Sequence, residues 1–165
     1  MATRVQFRRG TTSEHSSFTG AVGEVTVDTD KKLVVVHDGS TAGGVPSTSL
    51  SQAQTFTKAQ RGGVTTLTSS SNATAIDLSL NNFFTITLSE NTTFSAPTNA
   101  VAGQAGSIFI VQDGTGSRTG SFHSNFKFTG GADPTLTTTA NAVDRIDYVV
   151  KSSTEIHAVA TLALA

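Results

Sequence analysis

Cysteine and tryptophan are absent from this 165-residue chain, proline occurs three times, and methionine and tyrosine once each. The lack of cysteine excludes disulfides and thiolate chemistry and leaves the redox compartment open. Charge is scarce too: Asp, Glu, Lys and Arg make up 14% of residues, against ~25% in an average domain. Long surface helices draw on Glu, Lys, Arg and Leu, so this composition argues against them. The formal net charge is −1, which leaves no basic footprint for nucleic acid. No apolar run approaches the ~18 residues of a membrane span. Arg4, Arg8 and Arg9 lead into no apolar stretch, so neither a signal peptide nor membrane insertion is expected.

What is abundant is small hydroxyl: 28 Thr and 19 Ser, or 47 of 165 residues. Threonine is β-branched and fits a half-buried pleated surface, so the composition points to an all-β chain. The pattern agrees. Val5 and Phe7 alternate with Gln6 and Arg8, predicting a strand that Gly10 ends. Thr11-Thr12-Ser13-Glu14 has the form of a capping box, predicting one or two helical turns toward Phe18. Residues 24–27 and 33–36 read as a hairpin around Asp28 to Lys32. Residues 47–56 are polar and aperiodic and read as a linker. From residue 57 onward, short alternating runs are closed by Gly, Asn or Pro: 64–68, 75–80, 83–88, 92–96, 106–112, 119–128, 135–139, 144–151 and 155–164. Strands at such intervals predict an antiparallel β-sandwich or jelly roll. The expected organisation is thus an N-terminal hairpin module (1–46), a linker (47–56) and a β domain (57–165).

The chain is poor in chemical motifs. His15, His37, His123 and His157 have no ligand spacing, which predicts packing or surface roles rather than a metal site. His37 beside Asp38 has the composition of an acid–base pair, but an Asp before a Gly-rich turn is explained by the turn itself. The same reading covers Asp28 and Asp30. Asp113-Gly114-Thr115-Gly116 is a bare G-x-G without the rest of a phosphate loop. No carboxylate pair is placed by motif, so no glycosidase is expected. The phenylalanines fall in strand runs and predict core packing, and Tyr148 alone offers an aromatic with a polar end. No cofactor, metal or catalytic residue is therefore assigned.

Two expectations concern the first fifty residues. A β segment of that size with few large apolar residues does not bury enough surface to stand alone. Val25, Val27, Val34 and Val36 are accordingly expected to be covered by other chains, which implies a symmetric oligomer or a neighbouring protein. Alternation also places Val5, Phe7 and Arg9 on one face. Arg9 is then expected to need an acidic partner, Glu14 or Glu24, and to matter more than Arg8.

Residues 4–46 also carry a specific resemblance. Phe7-Arg8-Arg9-Gly10-Thr11-Thr12, Gly23-Glu24-Val25-Thr26-Val27-Asp28-Thr29 and the Asp38 to Gly44 turn together resemble the N-terminal module of tailed-bacteriophage fibre and appendage proteins, the tropism-determinant-like tail-fibre domain. Further on, Gln54 to Gln60, Ala102 to Phe109, Gln112 to Arg118 and Ala140 to Ile146 are similar to stretches of marine-phage virion structural proteins. The resemblance implies a homotrimeric, non-enzymatic protein of the virion surface. Its partners would be copies of itself, a tail or major capsid protein, and a host cell-surface glycan. The anchoring and assembly candidates are Phe7, Arg8, Arg9, Glu24, Val25, Val27, Val34, Val36 and Asp38. A capsid decoration protein (cement or head fibre) and a glycan-binding β-sandwich module are the alternatives to a tail-fibre-type appendage.

Overall fold

The structure is a computed structural model that describes residues 5–48, 55, 56 and 58–164. The chain divides into two compact units, Met1–Ala59 and Gln60–Ala165.

The first unit holds a four-stranded sheet in the order β1-β2-β3-β4, made of β1 (Arg8–Gly10), β2 (Val25–Asp28), β3 (Leu33–Val36) and β4 (Val45–Pro46). The helical turn is α1 (Thr12–Ser16), and the capping box forms: Glu14 N donates to the Thr11 hydroxyl, and Thr11 N donates to the Glu14 carboxylate at 2.7 Å. Thr12 ties α1 to the hairpin loop, donating from its hydroxyl to Asp28 and from its backbone N to Asp30. The first strand starts later than alternation predicts. Its parallel pairing with β2 begins at Arg8↔Thr26, so Val5 and Phe7 lie ahead of the ladder and are 76% and 58% exposed. The hairpin register, Val25↔Val36 through Asp28↔Leu33, is the one expected.

In the second unit the chain alternates between two sheets. β5 (Val64–Thr66), β7 (Phe83–Leu88) and β9 (Ala105–Gln112) lie side by side and parallel in one sheet. β6 (Ala73–Thr74), β8 (Thr92–Phe94) and β10 (Gly120–Phe122) do the same in the other. A parallel bridge between Asp77 and Thr98 links two of the coils at a further corner. These strands are three coils of a parallel solenoid, in which Val64, Phe83 and Ser107 occupy equivalent places. β12 (Val143–Ser152) and β13 (Glu155–Leu164) close the larger sheet as an antiparallel hairpin on β9, and β11 (Phe126–Lys127) pairs parallel with the edge of β13.

The all-β expectation holds; its antiparallel form is corrected by the coils. The physical cause lies inside the solenoid. Pairing in register stacks like on like: Phe84, Ile108 and Ile146 form one buried row, with Ile86 and Ile110 beside it. In the smaller sheet, Phe94 lies against Phe122 with ring centroids 4.8 Å apart and planes 11° apart, the spacing of neighbouring strands. The 75–80 run is a corner rather than a strand, because the Asp77 carboxylate accepts from Ser79 N and Asn99 Nδ2. The 119–128 run splits into β10 and β11. The 135–139 run has no strand partner; Leu136 is buried against Gly120, whose missing side chain makes the room.

Candidate functional site

The inner face of the first unit is polar. His15 on α1, Thr26 on β2 and His37 after β3 are buried and joined in a line: the Thr26 hydroxyl lies 2.9 Å from His15 Nε2 and 2.9 Å from His37 Nε2. The outer atoms orient the chain of bonds. Gly20 N donates to His37 Nδ1, so His37 donates from Nε2 to Thr26. His15 Nδ1 donates to the Thr11 carbonyl, so its Nε2 accepts from the Thr26 hydroxyl. One proton on each ring satisfies every atom. His37 and Asp38 do not form an acid–base pair: the Asp38 carboxylate turns away to Ser40 N, Thr41 N and the Thr41 hydroxyl. Sequence reading missed this relay, although alternation along β3 carried a signal, since Leu33, Val35 and His37 fall on one face.

Because the polar residues face inward, the valines face outward. Val25 and Val27 are half-buried, while Val34 and Val36 are 45% and 47% exposed. Val25↔Val36 and Val27↔Val34 are direct cross-strand pairs, and Val45 opposite Val36 widens the stripe. Arg9 lies opposite Val27 at the border of this face, and its side chain has no hydrogen-bond or ion-pair partner among the described residues. The charged contact belongs to Arg8 instead, whose guanidinium reaches Glu24 at 3.0 Å and sits 4.7 Å over the Phe18 ring. The Arg8↔Thr26 register accounts for the difference, since it puts Arg8 on the helix side of the sheet and Arg9 on the valine side. Arg8→Ala is expected to destabilise the unit by about 0.5–1 kcal/mol, the scale of an exposed ion pair, and Arg9→Ala to leave stability unchanged. Urea unfolding of the two variants checks this.

Acid should loosen the same unit. Burial works to raise the Asp28 carboxyl, but Lys31 N–H, the Thr12 hydroxyl and Asp30 N–H together outweigh it and hold Asp28 below its ordinary value. Asp38 is held well below the usual range by Thr41 N–H, then the Thr41 hydroxyl and Ser40 N–H. A carboxylate lowered on folding contributes stability that is complete above its unfolded value and lost as pH falls through its folded value. The loss therefore begins below about pH 4, with a shallower acid slope expected for Asp28→Asn. Amide exchange of residues 12–36 across a pH series measures it.

In the second unit, Tyr148 is buried and donates to the Asn82 carbonyl, so it is no exposed platform. His157 is exposed beside Glu155 at 2.9 Å, and His123 accepts from Asn125 N. Asp113 organises its own turn, accepting from Thr115 N and Gly116 N and pairing with Arg118. Among the described residues no cluster of three metal-ligating side chains is present. A cleft of about 380 Å³ lies beside β11, lined by Phe128, Lys127, Ser124 and Asp133 among others.

Each region matches a different phage domain. Residues 5–41 match the major tropism determinant N-terminal domain, and residues 62–157 match the putative phage tail fibre C-terminal domain. Together they define the class: a bacteriophage structural protein of the virion surface, of tail-fibre type. The second match spans more than half of the chain, and the chain belongs to that phage tail-fibre C-terminal-domain family. A tail fiber receptor-binding protein of Bordetella phage BPP-1 is 55% identical over 76 residues, which cover 46% of this chain and 20% of the relative. The chain thus matches about a fifth of that relative's length. Among solved structures, the Major Tropism Determinant I1 variant is 67% identical over 27% of this chain and 12% of its own, with a TM-score of 0.27. The U1 variant is 26% identical over 94% of this chain and 31% of its own, with a TM-score of 0.28.

Proposed function

We propose that this protein is a non-enzymatic, homotrimeric tail-fibre appendage, anchored to the particle by residues 1–46 and projecting the β domain of residues 57–165 toward the host. The observation that carries the reading is the reversed hairpin. A solvated sheet face is normally polar, whereas here histidine, threonine and aspartate are buried and Val25, Val27, Val34 and Val36 are turned out. Such a face is covered in the assembled state, by copies of itself or by the tail protein that holds it. Arg9 borders that face in register and Phe7 lies just ahead of it in sequence, Arg8 with Glu24 braces β1 against the turn before β2, and Asp38 holds the 38–44 loop. The domain matched by residues 62–157 is a tail-fibre domain, which favours the tail over the capsid. The relative described as receptor-binding supports a host-facing role, and the cleft beside Phe128, aromatic on one side and polar on the other, suits a sugar.

Light scattering on a gel-filtration column tests assembly. A trimer is expected for the wild-type chain and a monomer for Val34→Glu combined with Val36→Glu; a wild-type monomer at micromolar concentration overturns the reading. A glycan array tests the host-facing part, with binding expected and its loss expected in Phe128→Ala.

A further inference from the structure

The cleft beside β11 has a neighbour. A second one, of about 520 Å³, lies on the other side of the same segment, against the β12–β13 hairpin, and Lys127 and Phe128 line both. Phe128 meets Phe122 edge to face with ring centroids 5.0 Å apart and stays half-buried, so packing fixes the ring without covering it. The lip after it carries no side chain: Gly130 and Gly131 turn there with φ near +80°. On the inner side, Lys127 Nζ donates to the Ser124 carbonyl at 2.6 Å, which leaves two ammonium N–H groups free. Asp133 Oδ2 accepts from Phe122 N at 2.7 Å, and Oδ1 stays open. On the outer side the charges are already paired: Asp147 with Arg145, and Glu155 with both Lys151 and His157. Val149 and Val159, each more than half exposed, supply the apolar surface there, and Thr129 a hydroxyl.

From this we infer that the two clefts form one site for an uncharged oligosaccharide of at least two sugar residues, bound across β11. The inference rests on the host-facing reading above and names the class and the extent of the ligand. Charge complementarity selects the class. Lys127 and Asp133 cancel, and the remaining charges are paired with one another, so neither an acidic nor a basic ligand meets an unbalanced charge. A purely apolar ligand would take water from the free N–H groups of Lys127 and from Asp133 Oδ1 and return no bond. A hydroxyl both donates and accepts. Neighbouring hydroxyls of one sugar therefore answer Lys127 and Asp133 together, while the C–H face of its ring rests on Phe128. The extent follows from the division of labour between the clefts. The inner one supplies the directional bonds, and the outer one supplies mostly apolar area, which a second residue covers. Each falls within the ~300–1,000 Å³ of ligand sites.

The test applies the labelled full-length chain to an array of neutral and of uronate- or sialate-bearing glycans, from monosaccharides to hexasaccharides, at about 0.05 M and about 0.5 M salt. Neutral glycans are expected to bind equally at both salt concentrations, with affinity rising about tenfold or more from one sugar residue to two. Two substitutions at exposed positions each fill one cleft, Ala132→Trp the inner and Val159→Trp the outer. Ala132→Trp is expected to abolish binding and Val159→Trp to remove the gain with length, both with wild-type circular dichroism. Lys127→Ala, at a third exposed position, is expected to weaken every affinity about tenfold. Bound glycans that are all acidic and weaken in salt overturn the inference, as does equal affinity for one residue and two. If Phe128→Ala still abolishes binding, either result leaves the host-facing reading standing. Binding that none of the four variants alters lies elsewhere on the chain and also overturns the inference alone. An array with no bound glycan overturns both readings.

Discussion

Replacing Thr26 with valine is expected to destabilise the first unit by roughly 2–4 kcal/mol, although the two side chains have nearly the same shape. The hydroxyl accepts from His37 and donates to His15, and all three residues are buried. Valine leaves one imidazole donor and one imidazole acceptor unpaired, each costing about 1–3 kcal/mol when water cannot reach it. The unit has few apolar contacts to offset the loss: Leu33 and Val35 are its buried aliphatic side chains among the described residues. Thr26→Ser keeps the hydroxyl and should retain most of the stability. Imidazole proton resonances and amide exchange in residues 12–37 would separate the variants. A Thr26→Val chain as protected as wild type would show that the relay contributes nothing to folding.

The second large effect is expected from Phe94→Ala. Phe94 is fully buried, stacks on Phe122 and belongs to the core that also holds Phe126. Its removal leaves a cavity between two coils, and truncations of this kind cost about 3–5 kcal/mol. The loss should appear in the second unit alone. Phe94→Leu, which refills part of the space, should fall between. Denaturant unfolding followed by exchange at β8 and β10 would register the change.

The strands of the first unit were legible because their signals are local. The capping box at Thr11 and Glu14, the hairpin around Asp28 and the alternation of 33–36 each act over a few residues, and each formed as read. The exposed valine face was legible for the same reason, because alternation alone puts Val34 and Val36 together. The partner of Arg8 was not legible. It depends on where a parallel pairing between β1 and β2 begins, sixteen residues away from Glu24.

The solenoid was hidden for a related reason. Its coils are unequal, so Val64, Phe83 and Ser107 fall at unequal intervals and chemically dissimilar residues occupy one position. An alternating run reads the same whether its neighbour is parallel or antiparallel. The short β6, β8 and β10 strands are further obscured by Thr and Ser, which also fill the turns. Family resemblance supplied the identity of the protein's setting without supplying that geometry.

The coils also bear on how such proteins change length. In a stack where each layer touches only its neighbours, stability is close to a sum over layers. A duplicated segment that begins in one corner and ends in the equivalent corner adds one layer and leaves both ends as they were. The natural unit of insertion is therefore the stretch from Val64 to Asn82, which would lengthen the domain by about 4.8 Å. A segment one residue longer or shorter would shift every later side chain off its row, turning Phe84 and Ile86 outward and Thr85 between them in. The length of the stack would thus change in fixed steps, and the antiparallel hairpin that ends it would be the part least free to vary.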